Sequence, residues 1–305
     1  MDKHTGLKPY FAGICFSFVV GFSFVSVKTC VSYATSLQIL TYRFDFALIG
    51  ILLVLLFSKQ KLKLKEKPKG MALLTGFFYI AFIALQTVGL AFSSSIESAI
   101  LFSIVPVLVH LLATIFLKEK GTPLQTIFMF VCVSTLIYMI VRGATGISFS
   151  PLGTALLLLS SLSMAIHNVL TRYVRASYTP FEITTMIIVE GFVFFKVAAV
   201  VDGLINKNFA EYFQPFTHIE FTVSIIYLGV FCILISAQLM AYMQGNLPST
   251  NAAIFGNLST AISIVAGVVL LKEAILPYHI YCSILIIAAV IGMNFSGKRK
   301  GLNHD

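Results

Sequence analysis

Ten stretches of about twenty apolar residues, set apart by short charged or turn-rich breaks, constrain this chain more than any other feature. They run over 9–30, 36–57, 70–91, 95–117, 123–142, 151–172, 181–203, 219–243, 250–271 and 278–296. A bilayer's hydrocarbon core is about 30 Å thick and takes about 20 helical residues to cross, so each stretch reads as one crossing. Spanning strands would alternate apolar and polar residues and close into a barrel, whereas these runs are apolar on every face, which makes them helices. Charged residues make up 11% of the chain and hydrophobic ones 58%, against about 25% charged in a soluble domain. Ten crossings within 305 residues leave only short connections, which excludes a separate soluble catalytic domain.

The basic residues set the expected orientation. With the N-terminus in the cytoplasm, fifteen Lys and Arg fall on that side: Lys3, Lys8, the six lysines of 59–69, Lys118, Lys120, Arg172, Arg175, Lys298, Arg299 and Lys300. Only Arg142, Lys207 and Lys272 fall opposite. Such an imbalance places both termini in the cytoplasm and favours an even number of crossings. It also explains the net charge of +9 as a topology signal, so no nucleic-acid partner is expected. Lys3 and Lys8 precede an apolar run longer than a signal-peptide core and lacking a small-residue cleavage site, so that run reads as a retained first span. The cysteines Cys15, Cys30, Cys132, Cys232 and Cys282 form no CxxC pair and read as small core residues, not metal ligands.

A repeat divides the chain. Leu117-Lys118-Glu119 and Pro123 recur as Leu271-Lys272-Glu273 and Pro277, an offset of 154 residues. At the same offset Ser95, Ala99 and Ile100 recur as Ser249, Ala253 and Ile254. Two five-helix units, 9–142 and 151–296, followed by a basic tail at 297–305, account for the pattern. Each unit has an odd number of spans, so the two insert with opposite orientation and form an inverted repeat, the plan by which secondary transporters alternate access to a midplane site.

These residues resemble the EamA branch of the drug/metabolite transporter superfamily over about 10–296. The resemblance rests on Gly21, Phe24 and Lys28 in the first span and Arg43 in the second. The fourth span adds Ala99 to Pro106 and Phe116-Leu117-Lys118-Glu119, and the ninth closes on Leu270-Leu271-Lys272-Glu273. The sequence departs from the family's pattern at Val20, where a tryptophan is usual, and at Thr260, the counterpart of Pro106. The resemblance implies a ten-helix basket with a cavity lined by spans one to four and six to nine, spans five and ten lying at the periphery. It also implies a bacterial cytoplasmic membrane.

A charge near the bilayer centre costs about 2.5–3.5 kcal/mol on insertion scales, so the ionisable residues within spans are the first candidates. Lys28, Arg43, Asp45 and Glu97 fall toward the outer third of spans one, two and four, where they can form a polar vestibule or gate, or a static network joining helices. Asp45 follows Arg43 by two positions, so the two side chains point to different helix faces. Glu190, in the middle of span seven, is the deepest carboxylate. Burial favours its neutral form, which makes it a proton-coupling candidate unless Lys196 neutralises it. Glu97, His110 and His167 are further proton-coupling candidates, with hydrogen-bonded core histidines as the alternative. Tyr79, Gln86, Asn168, Gln238 and Asn257 are polar groups within spans that can meet a substrate.

The expected function is secondary transport of a small metabolite, with export of an amino acid or related zwitterion favoured by the balance of three basic and three acidic groups within the spans. Lys28, Arg43 and Lys196 keep exchange of anionic metabolites, of nucleotide-sugar or phosphate-ester type, as an alternative. Multidrug efflux is a second alternative, although a lipophilic-cation pump would want an acid where the first span has Lys28. A membrane-embedded enzyme is disfavoured by the lack of HExxH, GxSxG or a convergent acidic set, a structural membrane protein by the paired repeats it does not need, and no GxxxxGK[ST] loop is present to bind ATP. The expected partners are a small-molecule substrate and the lipid bilayer, with possible proton coupling and no cofactor.

Overall fold

A computed structural model describes residues 7–57, 62, 67, 69–116, 122–144, 150–207, 211–247, 252 and 255–298, with side chains at all of these except 143, 144, 257, 290 and 293–298. The described residues are almost entirely helical and include no strand. In chain order the helices are α1 (Lys8–Val31), α2 (Ser36–Phe57), α3 (Lys69–Ala91), α4 (Ser95–Phe102), α5 (Val105–Phe116), α6 (Pro123–Ala144), α7 (Pro151–Val174) and α8 (Pro180–Asn206). There follow α9 (Ile219–Ile226), a π-helical turn (Tyr227–Ile235), α10 (Ser236–Asn246), α11 (Phe255–Leu271) and α12 (Pro277–Lys298). Eight helical units are long and apolar enough to cross a membrane, with α4–α5 and Ile219–Asn246 each counted as one, and Leu258–Leu271 and Pro277–Ala289 are two shorter apolar helices.

The helix boundaries follow local chemistry. Pro9, Pro151 and Pro180 sit in first turns, where their missing N–H removes no intrahelical bond. Thr179 and Glu182 form a reciprocal capping box at the start of α8, and Ser94 and Glu97 form another at the start of α4. The fourth span breaks between Phe102 and Val105 because Pro106 cannot donate to the carbonyl one turn earlier and its ring would meet that carbonyl. The next polar partner of α4 is Thr260, at the position where the second half lacks the matching proline: its hydroxyl donates to the Ala99 carbonyl at 3.2 Å.

One end of the bundle carries the turns 32–35, 92–94 and 272–276, and the other carries the turn 175–179. At the second end Arg172 of α7 and Arg175, just past its end, hold carbonyls near and just beyond the end of α10. Arg172 Nη1 donates to Gln244 (3.1 Å) and Leu247 (2.6 Å), and Arg175 Nε to Ala241 (2.9 Å). α6 and α12 pack on each other at the edge, away from the main apolar core. Two contacts join residues separated by the offset of the sequence repeat: the Thr41 hydroxyl lies 3.4 Å from the Phe195 carbonyl, and the Cys132 sulfur 3.9 Å from the Ile286 carbonyl.

Candidate functional site

α1, α2, α3, α4, α7, α10 and the π-helical turn enclose a central cavity. Its polar lining is Ser23, Arg43, Tyr79, Gln86, His167 and Ser236, and its apolar lining includes Phe16, Phe82, Phe102 and Met164. About 30 Å³ is open to the centres of water-sized groups. That is room for a water or two, so a metabolite can enter only if the helices part.

Among the described residues Arg43 is the one charged side chain in this lining, and it is 1% exposed. Its Nη1 donates to Thr87 Oγ1 at 3.2 Å, while its Nε has no partner. The ion pairs among the described residues are Lys67–Glu182 and Lys196–Asp45, and neither involves it. A guanidinium carries five N–H donors in a fixed fork, and here Nη1 meets a neutral hydroxyl and Nε nothing, so this is a buried cation without an anion paired to it among the described residues. Such a group is costly to bury and matches a carboxylate or phosphate that arrives with its own charge.

Tyr79 and His167 form another part of the wall. The Tyr79 hydroxyl donates to the Cys232 carbonyl at 3.3 Å, and its ring lies against His167 with centroids 5.0 Å apart. The carbonyl is offered by the π-helical turn, where the ordinary ladder is interrupted, and Ser236 Oγ reaches it as well. His167 lies with Nδ1 3.0 Å from the Thr75 carbonyl and Nε2 3.3 Å from the Thr171 hydroxyl. A neutral imidazole satisfies both contacts, with Nδ1–H donating and Nε2 accepting.

The other sequence candidates are distributed around this centre, and Lys28, Arg43, Asp45 and Glu97 do not form one cluster. Lys28 donates to the Leu90 (3.0 Å) and Ser93 (2.7 Å) carbonyls, capping the C-terminal end of α3, where the helix dipole favours a cation. Asp45 pairs with Lys196 across α2 and α8 at 2.7 Å. Glu97 belongs to its own helix cap and accepts from Ser93 Oγ at 2.9 Å. Glu190 is therefore without the lysine partner that the sequence allowed. Its carboxyl lies in a slot made by the missing side chain of Gly76, where a Cβ would stand 1.6 Å from Oε2, and that oxygen is buried with no hydrogen-bond partner. His110 is half-buried on α5, and Gln238 half-buried on α10, both off the cavity lining. Asn168 is fully buried, and neither of its amide atoms has a hydrogen-bond partner. The Asn257 side chain and Glu119 lie outside the described residues.

Sequence reasoning missed Thr87, Ser236 and Glu273. Thr87 was within reach of it, because Tyr79, Ile83, Gln86 and Thr87 share the i, i+4, i+7, i+8 face of one helix. Glu273 follows the left-handed Lys272 and crosses to α4. Its Oε1 accepts from the Ser95 N–H at 2.9 Å, and its Oε2 accepts from Ser95 Oγ at 2.8 Å and the Ile96 N–H at 3.1 Å.

The sequence matches the EamA-like transporter family twice, over residues 7–141 and 151–295. An uncharacterized transporter of Bacillus subtilis (strain 168), YcxC, is 32% identical over 302 residues, covering 98% of this chain and 97% of that protein. An uncharacterized transporter of Archaeoglobus fulgidus is 22% identical over 254 residues, covering 83% and 86%. A solved crystal structure superposes with a TM-score of 0.63 at 16% identity, over 94% of this chain and 97% of the other.

Proposed function

Because this chain belongs to the EamA-like transporter family, we propose that it exports an amino acid or related zwitterion by alternating access, with the substrate's carboxylate held by Arg43. It is a multi-pass protein of the plasma membrane and a transporter of small solutes. The observation that carries the finer reading is Arg43 itself, a fully buried cation facing the cavity with no carboxylate paired to it among the described residues. A carboxylate entering the cavity supplies the missing charge and matches the guanidinium fork. The ammonium of a zwitterion would then meet the neutral acceptors of Tyr79, Gln86, Ser23 and Ser236.

Alternating access between two inverted five-helix units draws support from the contacts Thr41–Phe195 and Cys132–Ile286. Residues related by one constant offset meet each other only near a two-fold axis. The lysine- and arginine-rich side supports a cytoplasmic 175–179 end and an outer 272–276 end. Glu190 is the proton carrier in this reading, because its carboxyl is buried at mid-span with no cation against it and a neutral acid needs none.

The test is uptake into proteoliposomes of labelled amino acids, sugar phosphates and lipophilic cations, with and without an imposed pH gradient. Saturable amino-acid flux is expected, with Arg43→Gln raising the half-saturation concentration at least tenfold, equivalent to about 1.4 kcal/mol of lost binding. Arg43→Lys should recover part of the loss and Glu190→Gln should remove the response to the gradient. Selective flux of sugar phosphates would replace the zwitterion with an anion at the same arginine. Unchanged amino-acid flux in correctly inserted Arg43→Gln would remove the arginine from the pathway.

A further inference from the structure

The Leu-Lys-Glu motif that ends the ninth span has no part in the cavity, yet its glutamate makes one of the best-satisfied contacts in the molecule. Helix α4 begins with four N–H groups that its own ladder cannot satisfy. Two of them are met within the helix's own capping box: the Ser94 N–H reaches Glu97 Oε2 and the Glu97 N–H reaches Ser94 Oγ. The other two, on Ser95 and Ile96, are met by the single carboxylate of Glu273, which also takes the Ser95 hydroxyl. The N-terminus of a helix in the first half is thus completed by an anion belonging to the second.

The approach is tight by construction. Lys272 takes a left-handed conformation (φ 54°), and the Glu273 N–H turns back to the Gly267 carbonyl at 3.2 Å, which aims the carboxylate at α4. Gly267 has no side chain where one would stand 2.7 Å from Ser95 Oγ, so α11 and α4 meet along their length, joined again by Thr260 and Ala99 one turn further on. At its other end α4 delivers Phe102 to the cavity wall, where its ring lies 5.6 Å from both Phe24 and Phe82. Whatever pins the start of α4 therefore pins a wall of the cavity.

We propose that Glu273 is the latch of the outer gate: its hold on Ser95 and Ile96 keeps α4 against α11 and the cavity closed on the 272–276 side, and its release is a step of outward opening. Glu273 touches no substrate and acts through α4, as a positioning residue. The proposal rests on the alternating-access reading above. The carboxylate accepts from three donors at once, whereas a carboxamide at the same place has only one accepting oxygen.

Cys232 lines the cavity and is a native reporter of its opening. In cells expressing the full-length protein, its modification by a membrane-impermeant maleimide added outside is measured by peptide mass spectrometry. The same reagent is applied to inside-out vesicles. Glu273→Gln should speed outside labelling of Cys232 at least fivefold and slow inside labelling, and Ser95→Ala should shift both in the same direction by less. A cap with only a structural role would lower thermal stability without moving the two rates in opposite directions. Should Glu273→Gln fail to insert, Ser95→Ala alone decides the matter. Rates unchanged within twofold on both sides, in protein of normal yield, would overturn the latch. Labelling needs no substrate, so the latch can fail while Arg43-dependent flux stands, and flux can fail while the latch stands.

Discussion

Replacing Gly76 with alanine should separate the packing of Glu190 from everything else the glycine does. An alanine Cβ at 76 would stand 1.6 Å from Glu190 Oε2 and 2.8 Å from its Cδ. Ordinary carbon–oxygen contact is about 3.3 Å, so the carboxyl must move by about 1.5–2 Å, and insertion of this kind into a packed site costs about 1–3 kcal/mol. Against that, alanine in a helix interior gains about 1 kcal/mol over glycine. Gly76→Ala alone should therefore change stability by between zero and about 2 kcal/mol of loss. In a Glu190→Ala background nothing stands in the slot, and the same change should stabilise by about 1 kcal/mol. The difference, a coupling of about 1–3 kcal/mol, is read from a double-mutant cycle of unfolding in detergent. Gradient-driven flux should fall in Gly76→Ala as it should in Glu190→Gln. Equal effects of the alanine in both backgrounds would show that the slot and the carboxyl are independent and refute the argument.

Two further outcomes follow from the geometry. Lys272→Gly should raise stability by about 1 kcal/mol, because a left-handed residue with a Cβ is strained and this exposed side chain gives up no packing; a drop on thermal unfolding would contradict it. Lys28→Met should lower stability by about 2 kcal/mol, the scale of losing charged hydrogen bonds to two carbonyls, while leaving substrate affinity within twofold; a selective loss of affinity would move Lys28 into the substrate pathway.

The crossings were legible because a bilayer demands long apolar runs whatever the packing. The central site was partly legible: Arg43, Tyr79, Gln86 and His167 were singled out as polar groups within spans, and they meet in one cavity. Their partners were hidden for a physical reason. These helices are apolar on both the lipid-facing and the inward-facing side, so sequence periodicity does not say which face turns inward. Hence Lys196 could be offered to Glu190, about 9 Å of helix rise along the same span being within a long side chain's reach, yet it turns to Asp45 on another helix. Lys28 has the depth of a vestibule residue and serves as a helix cap. Glu273 lay in a motif noticed only for its repetition, since a contact made 178 residues away leaves no local trace.

The π-helical turn at Tyr227–Ile235 holds a different lesson about change in this chain. Each residue of an α-helix advances the side chains by about 100°. A widened turn within a span is therefore a register setting: it fixes which faces of Ser236–Asn246 look inward relative to Ile219–Ile226. Straightening it into an ordinary α-helix at constant length would leave a span still long enough to cross the membrane, but it would swing Ser236 away from the cavity and carry Ala241, Gln244 and Leu247 out of line with Arg172 and Arg175. The width of this turn is thus a specificity element, and a substitution that narrows it acts as a rotation of everything that follows.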